Sequence, residues 1–174
     1  MQFHFLFAAA VGTLSSLAQA KPTCQPSPAV TPKPQYEFTM NLKLGAGTNV
    51  GVDIYNERQT YLPVTGGKFC AKWNGGVTGS VVSGVANFYQ TANGTGPYRL
   101  DFEYLIKTSD TPPASFVVKQ SGWEVNRVGR TTYSFATGDS RYSFVNSGVY
   151  IGVEVGYVVN GTTTHSAVDG YTLV

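Results

Sequence analysis

The most suggestive chemical group in the sequence is Glu154, which lies between Gly152 and Gly156. On a β-strand these three positions share one face, and glycines there leave room for a ligand or a neighbouring ring. A carboxyl group in such a space could act as a general acid or base. The opposite row, from Val149 to Val159, is apolar and is the better core face. The pattern therefore favours the interpretation that Glu154 lies on the outer face and that the glycines relieve barrel curvature. The alternative is that Glu154 is catalytic.

Aromatic residues form a second set of candidates. Phe102 and Tyr104 lie two positions apart on one strand face, which places their side chains about 7 Å apart, the span of one flat ring system. Trp123 and Tyr142 border later strands, so we expect both at the rim of a shared cavity. Arg141 could donate a charged hydrogen bond to a ligand carbonyl. The catalytic candidates are thus Tyr104, Arg141 and Glu154, and the substrate-binding candidates are Phe102, Trp73, Trp123 and Tyr142. The same aromatic residues could equally be packed core.

The sequence lacks most of the residues that a hydrolytic triad, a zinc site or a dinucleotide-binding loop would need. Beyond residue 20 the only histidine is His165; Asp169 shares its strand face, but no Gly-x-Ser-x-Gly elbow accompanies them. One histidine and two cysteines do not make the usual zinc sets. Gly45-Ala46-Gly47 lacks the helix that a dinucleotide loop requires. We therefore expect no metal and no cofactor.

The element that must position these residues is the stretch from Pro97 to Thr108. Its apolar residues, Leu100, Phe102, Tyr104 and Ile106, alternate with charged ones. This period of two is typical of a half-buried strand. An apolar face of this length must pack against a hydrophobic core.

Further strands are predicted along the chain, and no segment has a helical period. They are expected at about 36–44, 50–55, 61–65, 68–73, 77–85, 115–120, 131–136, 142–145, 149–159 and 163–173. Glycine-rich turns separate them, as Asn74-Gly75-Gly76 does. The prediction is an all-β fold, a single antiparallel β-barrel, with a bent β-sandwich as the alternative.

Composition limits the choice of partners. Charged residues make up 13% of the chain, about half the ~25% of ordinary domains. The formal net charge is +2, and the basic residues are scattered. These values argue against nucleic acid or an anionic membrane surface as the main partner. The aromatic candidates described above favour an apolar small molecule as the ligand, and a homodimer stays an open alternative.

The N-terminal region indicates export. Residues 1–20 lack Asp, Glu, Lys and Arg and end in Ala18-Gln19-Ala20, a pattern typical of a cleaved signal peptide rather than a membrane span. A proline-rich arm follows over 21–35, and the barrel domain is predicted over 36–174. In an oxidising compartment Cys24 and Cys70 could form a disulfide, the alternative being two separate thiols. Asn93 and Asn160 each begin a glycosylation sequon that resembles a turn.

Several segments resemble the family of small all-β barrel proteins called domain of unknown function 3237. They are Gly66-Gly67-Lys68-Phe69, the run from Gly75 to Val81, the run from Tyr98 to Thr108, and the run from Phe135 to Asn146. The resemblance extends over about 36–174, and it implies a barrel fold.

Three classes of function remain open. The first is a cofactor-free enzyme of secondary-metabolite biosynthesis, an isomerase or pericyclase acting on an apolar polyketide or terpenoid intermediate. Barrels of this kind in fungal pathways include hetero-Diels–Alderases, an analogy at the level of fold. The others are a lipocalin-like carrier and an extracellular protein that recognises a partner or glycan.

Overall fold

The structure, a computed structural model, describes residues 32–159 and 163–174, and the side chains of 32–156 and 165–174. This part of the chain contains nine strands: β1 (Pro34–Leu44), β2 (Thr48–Val52), β3 (Glu57–Ala71), β4 (Val77–Thr91), β5 (Tyr98–Thr108), β6 (Ser115–Val125), β7 (Val128–Ala136), β8 (Tyr150–Val159) and β9 (Thr163–Leu173). Two 3-10 helices, Trp73–Gly75 and Ser140–Ser147, connect β3 to β4 and β7 to β8.

Eight of these strands close into an antiparallel barrel. The order around the barrel is β1, β9, β8, β7, β6, β5, β4 and β3, and β1 pairs with β3 to complete the circle. The remaining strand, β2, pairs with the first half of β3 and extends the wall as a hairpin. The predicted single antiparallel β-barrel is therefore confirmed. A barrel of eight strands encloses a space that side chains or one small ligand can fill.

The period-two patterns predicted β1 and β5 correctly. In β5 all four alternating apolar residues, Leu100 to Ile106, are at most 2% exposed. In β1 the same holds for Phe38, Met40 and Leu42. These rows face the barrel interior, and their charged neighbours face outward.

The strand β3 is longer than predicted. Gly66 and Gly67 were expected to form a turn between two short strands, but both lie within β3. Their φ angles of 156° and 154° are positive, and a Cβ at Gly67 would overlap the carbonyl oxygen of Asn41 on β1. The register of the β1–β3 pairing shifts beside them. The two glycines therefore produce a bulge where the barrel closes, rather than a turn.

The strand β8 faces opposite to the prediction. Its inner face carries Gly152 and Glu154, whereas Val149, Val153 and Val155 are 76%, 46% and 46% exposed. The physical reason is crowding by aromatic rings, since a Cβ at position 152 would overlap the ring of Tyr133. Small residues must therefore face inward here. The prediction that the Val149–Val159 row is the core face is wrong.

The predicted strand at 142–145 is also wrong, because these residues belong to the second 3-10 helix. In a 3-10 helix positions i and i+3 share a face. Tyr142 and Val145 are the two residues that this helix buries.

Several predictions fall at or outside the limits of the described residues. The signal peptide, most of the proline-rich arm, Cys24 and Asn160 lie outside them, whereas the first barrel strand begins at Pro34. Cys70 is exposed on β3, and its pairing with Cys24 stays a prediction. Asn93 is exposed in the β4–β5 turn, where its side chain accepts a hydrogen bond from the backbone N–H of Thr95. In the described part of the chain, no helix has the length and hydropathy to cross a bilayer.

Candidate functional site

The two ends of the barrel differ in how they are filled. At one end a cluster of rings packs around Phe38, whose centroid lies 5.2 Å from that of Phe135 and 5.4 Å from that of Tyr133. The two 3-10 helices add Trp73 and Tyr142 to this end. The other end contains a cavity of about 390 Å³. Cavities of this size suit a small organic ligand.

Apolar side chains line one side of the cavity, and polar side chains line the other. The apolar side is formed mainly by Leu44, Leu62, Phe88 and Tyr98, from β1, β3, β4 and β5, and Thr60 of β3 also lines it. The polar side includes Glu124, Arg127, Glu154 and Ser166, from β6, the β6–β7 turn, β8 and β9. His165 lies at the same rim. A ligand with an apolar body and one polar edge would match this lining.

Glu154 is the most deeply placed ionisable group of the polar side. Glu154 is 3% exposed. One carboxyl oxygen accepts a hydrogen bond from the side-chain amide of Gln120 on β6, and the other accepts one from the hydroxyl of Ser166 on β9. The two donors hold the carboxyl group from opposite sides and fix its orientation.

Burial controls the protonation of Glu154. Desolvation raises its pKa from the ordinary value of 4.5 to about 7, although the hydrogen bonds from Ser166 and Gln120 act in the opposite direction. Near neutral pH the carboxyl group is therefore present in both protonation states. This is the condition under which a carboxyl group transfers protons most effectively in either direction.

Tyr104, which lies deeper in the barrel, contacts the residue that donates to Glu154. Its hydroxyl donates to the Oε1 atom of Gln120 at 3.3 Å, so the Gln120 amide group is turned toward Glu154. Burial raises the pKa of Tyr104 well above its ordinary value, so the phenol stays protonated and remains a donor. Tyr104 does not line the cavity. Its contact with Gln120 makes it a positioning residue for Glu154.

Two further charged groups stand at the rim. Burial raises the pKa of Glu124, and the positive charge of Arg127 opposes that shift. Arg127 lies in a two-residue turn, Asn126-Arg127, in which both φ angles are positive, at 52° and 65°. Such a turn matches the twist of the flanking strands, and Arg127 in it is one of the residues that line the cavity.

The predicted shared cavity of Phe102, Tyr104, Trp123 and Tyr142 is not formed. Trp123 lies on the outer wall of the barrel and is 52% exposed, because β6 continues to Val125 rather than ending at residue 120. Phe102 is fully buried core. Tyr142 lies at the opposite, ring-filled end, where its hydroxyl donates to Asp110 at 2.5 Å.

Arg141 and Trp73 also lie away from the cavity. Arg141 pairs with Asp139 at 2.7 Å and donates to the carbonyl oxygen of Pro112 at 2.7 Å. The contact with Pro112 joins the second 3-10 helix to the β5–β6 connection, whereas the pair with Asp139 lies within the first turn of the helix. Trp73 is 4% exposed and packs against Phe135 with a centroid distance of 5.0 Å. Of the three predicted catalytic residues, the structure places only Glu154 at the cavity.

Three further residues of the site, which were not among the predicted candidates, stand out in the sequence pattern of their strands. Gln120 occupies an inward position of β6 after Phe116 and Val118, and a polar residue in an apolar row marks a buried polar contact. Ser166 precedes Val168 in the same way on β9. Glu124 follows two positions beyond Gly122 on the inner face of β6. Among the described residues, no group of three or more His, Cys, Asp or Glu side chains is placed to hold a metal ion.

Comparisons with solved structures show the same fold in other proteins. A conserved protein of unknown function from Rhodopseudomonas palustris is 19% identical with a TM-score of 0.68, and the match covers 83% of this chain and 99% of that one. A β-barrel-like protein from Acinetobacter baumannii is 19% identical with a TM-score of 0.62, over 84% and 99% of the two chains. An enzyme from Penicillium herquei is 23% identical with a TM-score of 0.59, again over 84% and 99%.

Sequence comparison assigns the family. No curated protein matches the chain. A family model described as protein of unknown function (DUF3237) matches residues 32–168, which include eight of the nine strands and the start of β9. The resemblance inferred from the glycine and strand motifs is therefore confirmed, and the chain belongs to the DUF3237 family.

Proposed function

We propose that the protein is a cofactor-free enzyme that binds an apolar small molecule at the open end of the barrel and promotes its isomerisation or cyclisation by proton transfer through Glu154. The observation that carries this proposal is a buried carboxyl group whose pKa is raised to about 7 beside a cavity with an apolar wall. Burying a carboxyl group opposes folding, so its presence at a cavity favours a role in chemistry. The structural likeness to a barrel described as an enzyme supports the same class of function.

We infer that the substrate is a polyketide or terpenoid intermediate. The signal peptide predicted from the sequence supports a location in the secretory pathway or outside the cell. Apolar residues would hold the body of the molecule while Glu154 exchanges a proton with its polar edge. A lipocalin-like carrier would need the apolar wall but not the buried carboxyl group. A pericyclase that acts by shape alone would likewise not depend on the protonation of Glu154.

A base-catalysed probe reaction tests this proposal without the natural substrate. In the Kemp elimination of 5-nitrobenzisoxazole, a carboxylate removes the ring C–H proton, the N–O bond breaks, its electron pair remains on the phenolate oxygen, and a nitrile forms. We expect the protein to accelerate this reaction, with a rate that rises with pH around the Glu154 pKa of about 7. Glu154→Gln should lower kcat/KM by at least about tenfold and remove that rise. Absorbance of the phenolate product measures the rate.

Glu103→Gln is the matched control. Glu103 lies on the outer wall of β5, where its side chain is 56% exposed and 3.5 Å from the Lys119 ammonium group. This variant should keep both the rate and the pH profile. If Glu154→Gln catalyses the Kemp elimination as fast as the wild type, the proposal is refuted. The remaining functions would then be a carrier or a pericyclase that acts by shape alone.

A further inference from the structure

The inner face of the open end contains one row of residues that runs across four strands. Tyr98 on β5 pairs with Glu124 on β6, Glu124 pairs with Gly129 on β7, and Gly129 pairs with Glu154 on β8. The two glutamates are thus two strand spacings apart, roughly 10 Å between Cα atoms. Both line the cavity.

The residue between the two glutamates has no side chain. A Cβ at Gly129 would lie 3.1 Å from the Cβ of Glu154, 3.3 Å from the Cδ1 atom of Leu100 and 3.5 Å from the Oε2 atom of Glu154. The missing side chain therefore lets the Glu154 carboxyl group pack close to the backbone of β7, and no side chain of this row lies between the two glutamates. Because both glutamates line the cavity, one flat molecule there can reach both carboxyl groups.

The surroundings of the two carboxyl groups differ. Glu154 is buried beneath the cavity, whereas Glu124 is half-buried at the rim with the positive charge of Arg127 near it. Among the side chains that the structure describes, the other titratable groups around the pair are Tyr98 on β5 and His165 on β9 at the rim, and Tyr104 on β5 and Tyr133 on β7 deeper in the barrel. Two carboxyl groups in unlike surroundings lose their protons at different pH values, so that one is ionised while the other is protonated.

We propose that Glu124 and Glu154 form an acid–base pair across Gly129 that enolises an apolar ketone held between them. This inference rests on the proposed function. The Glu124 carboxylate removes a proton from the carbon beside the carbonyl group, the C–H electron pair becomes the enol double bond, and protonated Glu154 gives its proton to the carbonyl oxygen. Glu124 is then protonated and Glu154 ionised, and exchange with water at the mouth restores the starting state.

The exchange of 2-tetralone protons in D₂O tests the pair, because each enolisation replaces a proton beside the carbonyl group with deuterium. Proton NMR follows the loss of that signal above the buffer rate. We expect acceleration with a bell-shaped pH dependence, because the reaction needs ionised Glu124 and protonated Glu154. Above the Glu154 pKa of about 7 the exchange should slow while the Kemp elimination, which needs only a base, continues to rise.

Substitutions distinguish the roles of the two carboxyl groups in the exchange reaction. Glu124→Gln should lower the exchange rate by at least about tenfold and remove the loss of rate at acid pH. The same variant should move the midpoint of the Kemp profile to lower pH, because the charge of Glu124 raises the pKa of Glu154. Gly129→Ala keeps both carboxyl groups but puts a methyl group against the Glu154 side chain, so it should displace this carboxyl group and slow the exchange as well. Glu103→Gln should leave both reactions unchanged.

Two results would overturn the pair. One is exchange that rises with pH in parallel with the Kemp elimination and is insensitive to Glu124→Gln, since Glu154 would then act alone. The other is no acceleration of exchange by the wild type. Either result would leave the proposed function standing if Glu154→Gln still slows the Kemp elimination. A Kemp rate insensitive to Glu154→Gln would instead refute the proposed function itself.

Discussion

Replacing Phe38 by alanine should lower the free energy of unfolding by about 3–5 kcal/mol, a large fraction of the stability of a typical domain. The Phe38 side chain is fully buried, and its ring packs against five others: Phe69, Trp73, Tyr133, Phe135 and Tyr150. It also fills the space left by Gly170 on β9, where a Cβ would overlap it. The neighbouring strands cannot collapse into the resulting hole without breaking their pairing, so the cavity should persist. Urea unfolding followed by fluorescence measures the loss.

Phe144→Ala is the matched control for Phe38→Ala. Phe144 is 46% exposed on the second 3-10 helix, and its ring contacts Trp73 alone among the rings of the described residues. The same chemical change there should cost less than about 1 kcal/mol. Equal losses in the two variants would mean that the ring cluster is not the main core of the closed end.

Stability should fall by roughly 2–3 kcal/mol between about pH 5 and pH 8 because of Glu154. In the unfolded chain this carboxyl group ionises at its ordinary pKa of 4.5, whereas in the folded protein burial raises the pKa to about 7. Over the interval between these values the folded state holds a proton that the unfolded state has released. The free energy of unfolding therefore decreases as pH rises through that interval and levels off above it. Burial raises the pKa of Glu124 too, which acts in the same direction.

Urea unfolding at a series of pH values measures this slope. The glutamine side chain in Glu154→Gln cannot ionise, so this variant should lose most of the dependence of stability on pH. The variant Glu103→Gln, on the exposed outer wall, should keep that dependence. A wild-type stability that is constant across the interval would show that Glu154 is solvated, contrary to the burial described above.

The sequence predicted the fold wherever strand faces differ clearly in polarity. In β5 the charged residues Arg99, Asp101 and Glu103 could only face water, so the apolar row had to face the core. In β8 both rows are poor in charge, and hydrophobicity alone gave the wrong face. The decisive factor was volume: the interior is already filled by rings, so glycine faces inward and valine outward.

The site was harder to predict because its residues come from strands far apart in sequence. Glu154 was identified from its flanking glycines, but Ser166 reaches it only because β9 pairs with β8, and Gln120 reaches it from β6, across β7. Single-strand patterns contain no information about such contacts. The aromatic candidates failed for a related reason, since Trp123 faces outward only because β6 continues past Gly122.

The proposed chemistry requires that Glu154 change its protonation state near neutral pH inside the open end of the barrel. The most direct measurement is a pH titration of the protein labelled with ¹³C at the glutamate carboxyl carbons, with the Glu154 signal assigned by its loss in Glu154→Gln. This signal should titrate with a midpoint of about 7, well separated from the exposed carboxyl groups. A midpoint at the ordinary value of 4.5 would refute proton transfer by Glu154 near neutral pH.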